Sequence, residues 1–217
     1  MALAALTMLA ASGPGVRFEA FDYRTGLQMF IWSGYAGIAA ALLAVVVLSV
    51  GRLRARGIAL PVMALLVGLA VTSAPLQLRQ KARAVPPIND ITTDGVNPPK
   101  YMTASRAYPG EDFARQQRAA YPDIVPLVLY VPPAEAFSRA LTAAEAMSWE
   151  VVGRDAKAGT LEAIDTTKWF GFKDDIAVRI TPTENGSRVD VRSKSRVGRS
   201  DIGTNAQRIR AYLARLK

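Results

Sequence analysis

The sequence predicts an α+β fold in which N-terminal transmembrane helices precede an antiparallel sheet of four or five strands covered by two helices. Three observations carry this. Two long runs near the N-terminus hold no charged residue, the C-terminal half alternates apolar and polar residues with period two, and the last stretch repeats apolar residues at helical spacing. Half of the 217 residues are apolar, which suits a membrane part joined to a water-soluble part.

The first long span is Leu27 to Val50, LQMFIWSGYAGIAAALLAVVVLSV. As a helix its 24 residues cover roughly 36 Å, enough to cross a bilayer core with some tilt. Trp32 and Tyr35 near its start suit an interfacial aromatic belt. The second span, Ile58 to Leu78, carries Pro61 in its first turn, where the missing N–H costs nothing. Globular helices rarely stay uncharged on every face for this length, so buried soluble helices are the poorer account. The opening MALAALTMLAAS lacks the positive start of a signal peptide and reads as a short first span or an interfacial helix over 2–12.

The connection GRLRARG carries Arg52, Arg54 and Arg56, and the positive-inside rule places it in the cytoplasm. The C-terminal part is then expected outside the cytoplasm. Arg79, Lys81 and Arg83 after the second span are a rival signal of equal count.

The membrane module is therefore assigned to residues 1–80. Residues 81–124 lose periodicity, and VPPINDITTDGVNPPKY favours extended and turn backbone. Its Ile88, Ile91, Val96 and Tyr101 predict a strap laid on the next domain, since a free linker has little use for apolar side chains. EDFARQQRAA, from Glu111, reads as a short helix.

Residues 125–217 form the predicted α+β domain. LVLYV from Leu127 reads as a strand, and Pro132-Pro133 opens a helix with Phe137, Leu141, Ala144 and Met147 on one face and a Glu135–Arg139 pair on the other. WEVVGR, GTLEAIDTT, DIAVRITP and SRVDVRSKS read as strands, the last two joined at Asn185-Gly186, a hairpin signal. The closing helix, from about Asp201, places Ile202, Ala206, Ile209, Leu213 and Leu216 on one stripe.

The chain has no Cys and no His, so its own residues cannot supply a disulfide, a thiolate nucleophile, a Ser-His-Asp triad or a cysteine–histidine zinc site. Carboxylate chemistry, Ser-Lys pairs and hard-metal binding by Asp or Glu remain open. Glu162, Asp165, Asp174 and Asp175 cluster in sequence, but without calcium-loop spacing and close to Lys168 and Lys173, so they read as structural ion pairs. On one strand Asp174 and Asp175 face opposite ways. The same alternation separates Lys194 from Ser193 and Ser195, which speaks against a Ser-Lys hydrolase. Trp169, Phe170 and Phe172 could stack nucleobases, but core packing is the better account and no nucleic-acid partner is expected.

The remaining candidate is RSKSRVGRSDIGTNAQRIR, residues 192–210, dense in Arg and Lys with the single acid Asp201. Ser200 or Asp201 is a natural helix cap, and a helix start flanked by Lys194, Arg196 and Arg199 could hold an anion or a partner. A latch is the competing account, with Asp201 holding Arg196 or Arg199 and with Asn205, Asp174 and Asp175 helping to fix the turn.

PPINDITTD, YPDIVPL, WFGFKDDIAVRI and RVDVRSKSRVGRSDIGTNAQRIR together resemble the bacterial domain of unknown function family 1499, over roughly Pro86 to Leu216. The two spans, with GPGVRFEAFDYRTG before them, resemble its membrane-anchored members. The resemblance implies an architecture and adds no catalytic residues. The net charge of +9 favours anionic neighbours. The expectation is a non-enzymatic, inner-membrane accessory or assembly protein without a cofactor, touching membrane lipid and a partner in a membrane-protein complex. A small-anion module or carboxylate enzyme at the Arg196–Asp201 turn is the alternative.

Overall fold

A computed structural model of the chain describes residues 1–55 and 57–217. It divides into two compact units, one of residues 1–83 with 167–171, the other of residues 84–166 with 172–217.

The first unit is helical: α1 (Ala2–Arg17), α2 (Tyr23–Ser49), the short α3 (Gly51–Arg54) and α4 (Ala59–Ala84). Asp22 starts α2 by accepting from the Arg24 and Thr25 amides at 2.7 and 3.1 Å, which satisfies two otherwise free donors. Two helices, Tyr23–Ser49 and Ala59–Ala84, are long and apolar enough to cross a membrane, and they bracket the predicted spans. Their exposed side chains are apolar over long stretches, among them Leu42, Leu43, Val46, Leu66 and Leu69. The predicted segment 2–12 belongs to a longer helix, α1, which packs along α2.

The α2–α4 contact is built from small residues that the sequence reading passed over. A Cβ on Gly37 would lie 2.8 Å from the Gly68 carbonyl oxygen, and one on Gly68 would lie 2.6 Å from the Gly37 oxygen. Ser33, Gly37 and Ala41 share one face of α2 at four-residue spacing, and all three are buried. Thr72 Oγ1 donates to the Gly68 carbonyl within α4 at 2.8 Å and lies 3.2 Å from the Gly34 carbonyl of α2. Backbones approach this closely only where side chains are small.

Residues 167–171, the connection between two strands of the second unit, belong to the helical one. Arg17 donates to the Thr167 and Lys168 carbonyls at 3.1 and 2.8 Å, and Phe170 meets Phe30 edge-to-face at 5.9 Å. Trp169 lies against Gly13 and stays 46% exposed, so these aromatics do not fill the core of the sheet.

The second unit runs β1 (Asp90–Thr92), α5 (Glu111–Ala120), β2 (Leu127–Leu129), α6 (Pro133–Ala146), β3 (Glu150–Asp155), β4 (Thr160–Thr166), β5 (Lys173–Thr183), β6 (Gly186–Ser195) and α7 (Thr204–Leu216). All pairings are antiparallel in the order β1-β6-β5-β4-β3, with β2 also on β6. The sheet thus has six strands. The additional one, β1, lies inside the expected strap and pairs Ile91 with Ser193. Ile88, Ile91 and Tyr101 of that segment are buried, whereas Val96 is 92% exposed.

One sheet face presents Leu161, Ala163, Ile176, Val178, Ile180, Val189 and Val191 to α6 and α7. Tyr212 of α7 stacks on Trp149 at 4.8 Å and donates to the Ala140 carbonyl at 2.9 Å, so a phenol sits in the core with its polar atom satisfied. Glu135 and Arg139 pair on the outer face of α6 at 2.5 Å.

Two turns differ from expectation. Thr183 pairs with Gly186, so Glu184 and Asn185 make the hairpin turn. Gly186 is required by proximity: a Cβ there would lie 2.1 Å from the Leu129 carbonyl oxygen of β2. The last helix starts at Thr204 instead of Asp201, because Ile202 and Gly203 adopt positive φ of 55° and 78° and form the entry turn.

Candidate functional site

Alternation along β5 and β6 gives the second sheet face a row of charges. Asp175 lies across from Lys194, Ala177 from Arg192, Arg179 from Asp190 and Thr181 from Arg188. Water does not solvate this face freely, because the segment between β1 and α5 crosses it as a strap. Glu162, buried on β4, accepts from the Met102 and Thr103 amides and from the Thr103 hydroxyl. Tyr101 donates to the Asp175 carbonyl at 3.2 Å. Arg179 donates to the Asn97 carbonyl at 2.9 Å.

Arg192 stands at the centre, with 2% of its side chain exposed. It donates from Nε and Nη2 to the two oxygens of Asp90 at 2.9 and 2.8 Å. The Tyr101 and Tyr108 rings lie 4.9 and 5.4 Å from its guanidinium carbon, a cation–π arrangement on strap residues. Lys194 Nζ also donates to Asp90, at 2.9 Å. Burial, with the Asp90 charge adding to it, pushes the Tyr108 phenol up to about 12, so it stays protonated and able to donate.

Asp175 is shared in the same way. Arg196 donates to its Oδ1 at 2.9 and 2.7 Å, and Arg106 Nη2 lies 2.8 Å from its Oδ2. Further along the face Arg179 and Arg188 both pair with Asp94 and Asp190. Against the cost of burial, the Asn97 and Val96 amides and the Arg179 and Arg188 guanidiniums hold the Asp94 carboxyl below its ordinary value.

The strap does not fill the space beneath it. A cavity of about 550 Å³ is lined by strap residues from Asn97 to Tyr108 and by Arg192. The charged side chains lining it are Lys100, Arg106 and Arg192, all cations.

The residues proposed from sequence for anion or partner binding separate here. Lys194 and Arg196 are engaged by Asp90 and Asp175, Arg199 is exposed with no ion-pair partner among the described residues, and Ser200 accepts from the Ile202 amide at 3.2 Å. Asp201 holds neither Arg196 nor Arg199. Its oxygens accept from the Gly203 and Asn205 amides, both at 2.8 Å, which caps α7. Burial raises the Asp201 carboxyl even though those two amides pull it down.

Asn205 is fully buried and joins three elements, accepting from Ser193 at 2.7 Å and donating to the Asn89 carbonyl and Ser195 Oγ, both at 3.1 Å. Asp174 faces α7 and receives Arg208 Nη2 at 2.6 Å, while Asp165 receives its Nε at 2.8 Å. Glu162, Asp174 and Asp175 are therefore buried and held by arginines and strap amides, not by Lys168 and Lys173 at the surface. Ser193 and Ser195 bond Asn205 on the face opposite Lys194, which removes a Ser-Lys pair.

The model of the family described as proteins of unknown function, DUF1499, matches residues 90–216. The chain belongs to the DUF1499 family. The match begins at Asp90, the acid beneath Arg192, and ends at Leu216, the last residue of α7, so the DUF1499 region contains the strap, the charged face and both covering helices. No curated protein matches the chain.

Proposed function

We propose that this DUF1499 protein is an inner-membrane-anchored accessory or assembly factor whose basic α+β unit stands on the periplasmic side and binds a protein partner within a membrane complex. One observation carries the anchoring: α2 and α4 join through small residues while turning long apolar surfaces outward, as lipid-facing helices do. The net charge of +9 and the unpaired Arg199 support an acidic face on the partner.

The GRLRARG connection supports the periplasmic side. A cytoplasmic unit is favoured by a different count. Because α2 and α4 are antiparallel, Arg17 and Arg24 beside the α1–α2 turn share one end of the helical unit with Arg79, Lys81 and Arg83. A reporter active only in the periplasm, fused after Lys217, separates the two readings: signal supports the proposal, and silence with an active cytoplasmic reporter overturns that part of it.

Partner binding is tested by cross-linking in intact membranes and mild-detergent purification of the full chain. Arg199→Gln should reduce the captured partner without changing the melting temperature. Recovery of an unchanged complement of proteins from that variant counts against Arg199 as a contact.

A further inference from the structure

We propose that the cavity beneath the strap binds a small organic phosphate, a dianionic head carried on an apolar body. The proposal concerns a site inside the α+β unit and does not depend on the partner or on the side of the membrane.

Charge balance is the first argument. Five cations meet around the cavity and its floor: Lys100, Arg106, Arg192, Lys194 and Arg196. Asp90, Asp175 and Glu162 face them, with Glu150 near Arg196. The charged side chains that line the cavity itself are three cations and no carboxylate, and an anionic head would balance them. Sharing is uneven as well, since Asp90 serves both Arg192 and Lys194, and Asp175 serves both Arg106 and Arg196.

Unused donors are the second argument. The Arg106 Nε–H and the Tyr108 hydroxyl are buried without a hydrogen-bond partner among the described residues. Arg192 reaches the Pro99 and Ala107 carbonyls only at 3.4 and 3.3 Å, long for charged donors. Both residues line the cavity, and phosphate oxygens admitted by a small shift of either side chain would recover the cost of leaving these donors unpaired.

Size and lining give the third. A cavity of about 550 Å³ falls in the range of small-molecule sites, and Met102, Tyr101 and Tyr108 give it apolar surface for the body of the ligand. The strap that forms most of the wall is fastened to the sheet by Glu162, so the cavity exists without a ligand to shape it.

The test is calorimetric titration of the full-length protein in detergent with phenyl phosphate, inorganic phosphate and benzyl alcohol. Phenyl phosphate should bind most tightly, inorganic phosphate more weakly, and benzyl alcohol not measurably. Arg106→Gln should weaken phenyl phosphate about tenfold and Tyr108→Phe several-fold, while Arg199→Gln should leave it unchanged. Lys100 is exposed, so Lys100→Gln cannot fail through misfolding and should weaken binding about threefold. Phosphatidic acid in the same micelles distinguishes the sources: competition with phenyl phosphate assigns the head to a lipid, and its absence to a free organic phosphate. Failure of phenyl phosphate to bind, equal binding of benzyl alcohol, or indifference to both Arg106→Gln and Lys100→Gln would overturn the proposal.

Discussion

Arg192 and Asp90 form a two-pronged ion pair at 2.9 and 2.8 Å, with their side chains 2% and 0% exposed. Asp90 is the first residue of the DUF1499 match and Arg192 lies in its last strand, so the bond fastens the first strand to the last. Charges this deeply buried are costly to desolvate, and the cost becomes visible only when one partner is removed.

Asp90→Asn should accordingly destabilise the α+β unit by about 3–5 kcal/mol, since it strands a buried guanidinium. The joint replacement Asp90→Leu with Arg192→Met should recover most of that loss, because Lys194, at 20% exposure, can turn to water. Urea unfolding followed by tryptophan fluorescence, with Trp149 in the core, reads both variants. Equal losses in the single and joint variants would contradict this account.

Asp94 predicts the acid limb of stability. Its folded-state pKa is depressed below the ordinary 3.8, so its contribution is present above that value and is lost as pH falls through the lower folded value. The stability difference between the native chain and Asp94→Asn should therefore be constant from about pH 7 to pH 5 and close towards pH 2. A difference that persists undiminished at low pH would mean the pairing with Arg179 and Arg188 contributes little.

Gly68→Ile should force α2 and α4 apart. The new Cβ would lie 2.6 Å from the Gly37 carbonyl oxygen and 3.0 Å from the Ala41 nitrogen, and neither backbone atom can move without moving its helix. The expected cost is about 1–3 kcal/mol, read as lower-temperature loss of helical signal in detergent.

Tyr212→Phe isolates one hydrogen bond in the core. It keeps the stack on Trp149 but leaves the Ala140 carbonyl without its partner, for a loss of about 1 kcal/mol. Trp149→Ala removes the stacked ring and should cost about 3–5 kcal/mol in the same unfolding assay.

Asp201→Ala tests the cap of α7. Losing acceptors for the Gly203 and Asn205 amides should cost about 0.5–2 kcal/mol, while Asp201→Asn, which keeps one acceptor, should cost less.

Periodicity made much of this fold legible. The EDFARQQRAA stretch marks α5 to its ends, the β5–β6 pair follows from alternating Ile176, Val178, Val189 and Val191, and the two long apolar helices follow from hydropathy. β1 is not legible in the sequence, because three residues cannot show a period and its strand nature depends on Lys194, Ser193 and Arg192 across the ladder. In sequence the turn at residues 196–203 reads as a charge latch of Asp201 with Asn205, Asp174 and Asp175; of these Asp175, distant in sequence, is the acid that holds Arg196. Alternation also identified Arg188, Asp190 and Arg192 as one face, but could not reveal that a strap a hundred residues earlier shields it. The cavity was invisible for the same reason, since Lys100, Arg106 and Arg192 meet only after folding. Small residues in α2 do not stand out by hydropathy, although Gly37 sets the distance to α4.

The placement of β6 also sets a timetable. Among the described residues both β1 and β2 pair with this strand alone, so neither has its neighbour until residues 186–195 have been made. The helices from Ala2 to Ala84 are complete long before that moment. The two helices long and apolar enough to cross a membrane are therefore made before the sheet can close, while the α+β unit is still an open polymer.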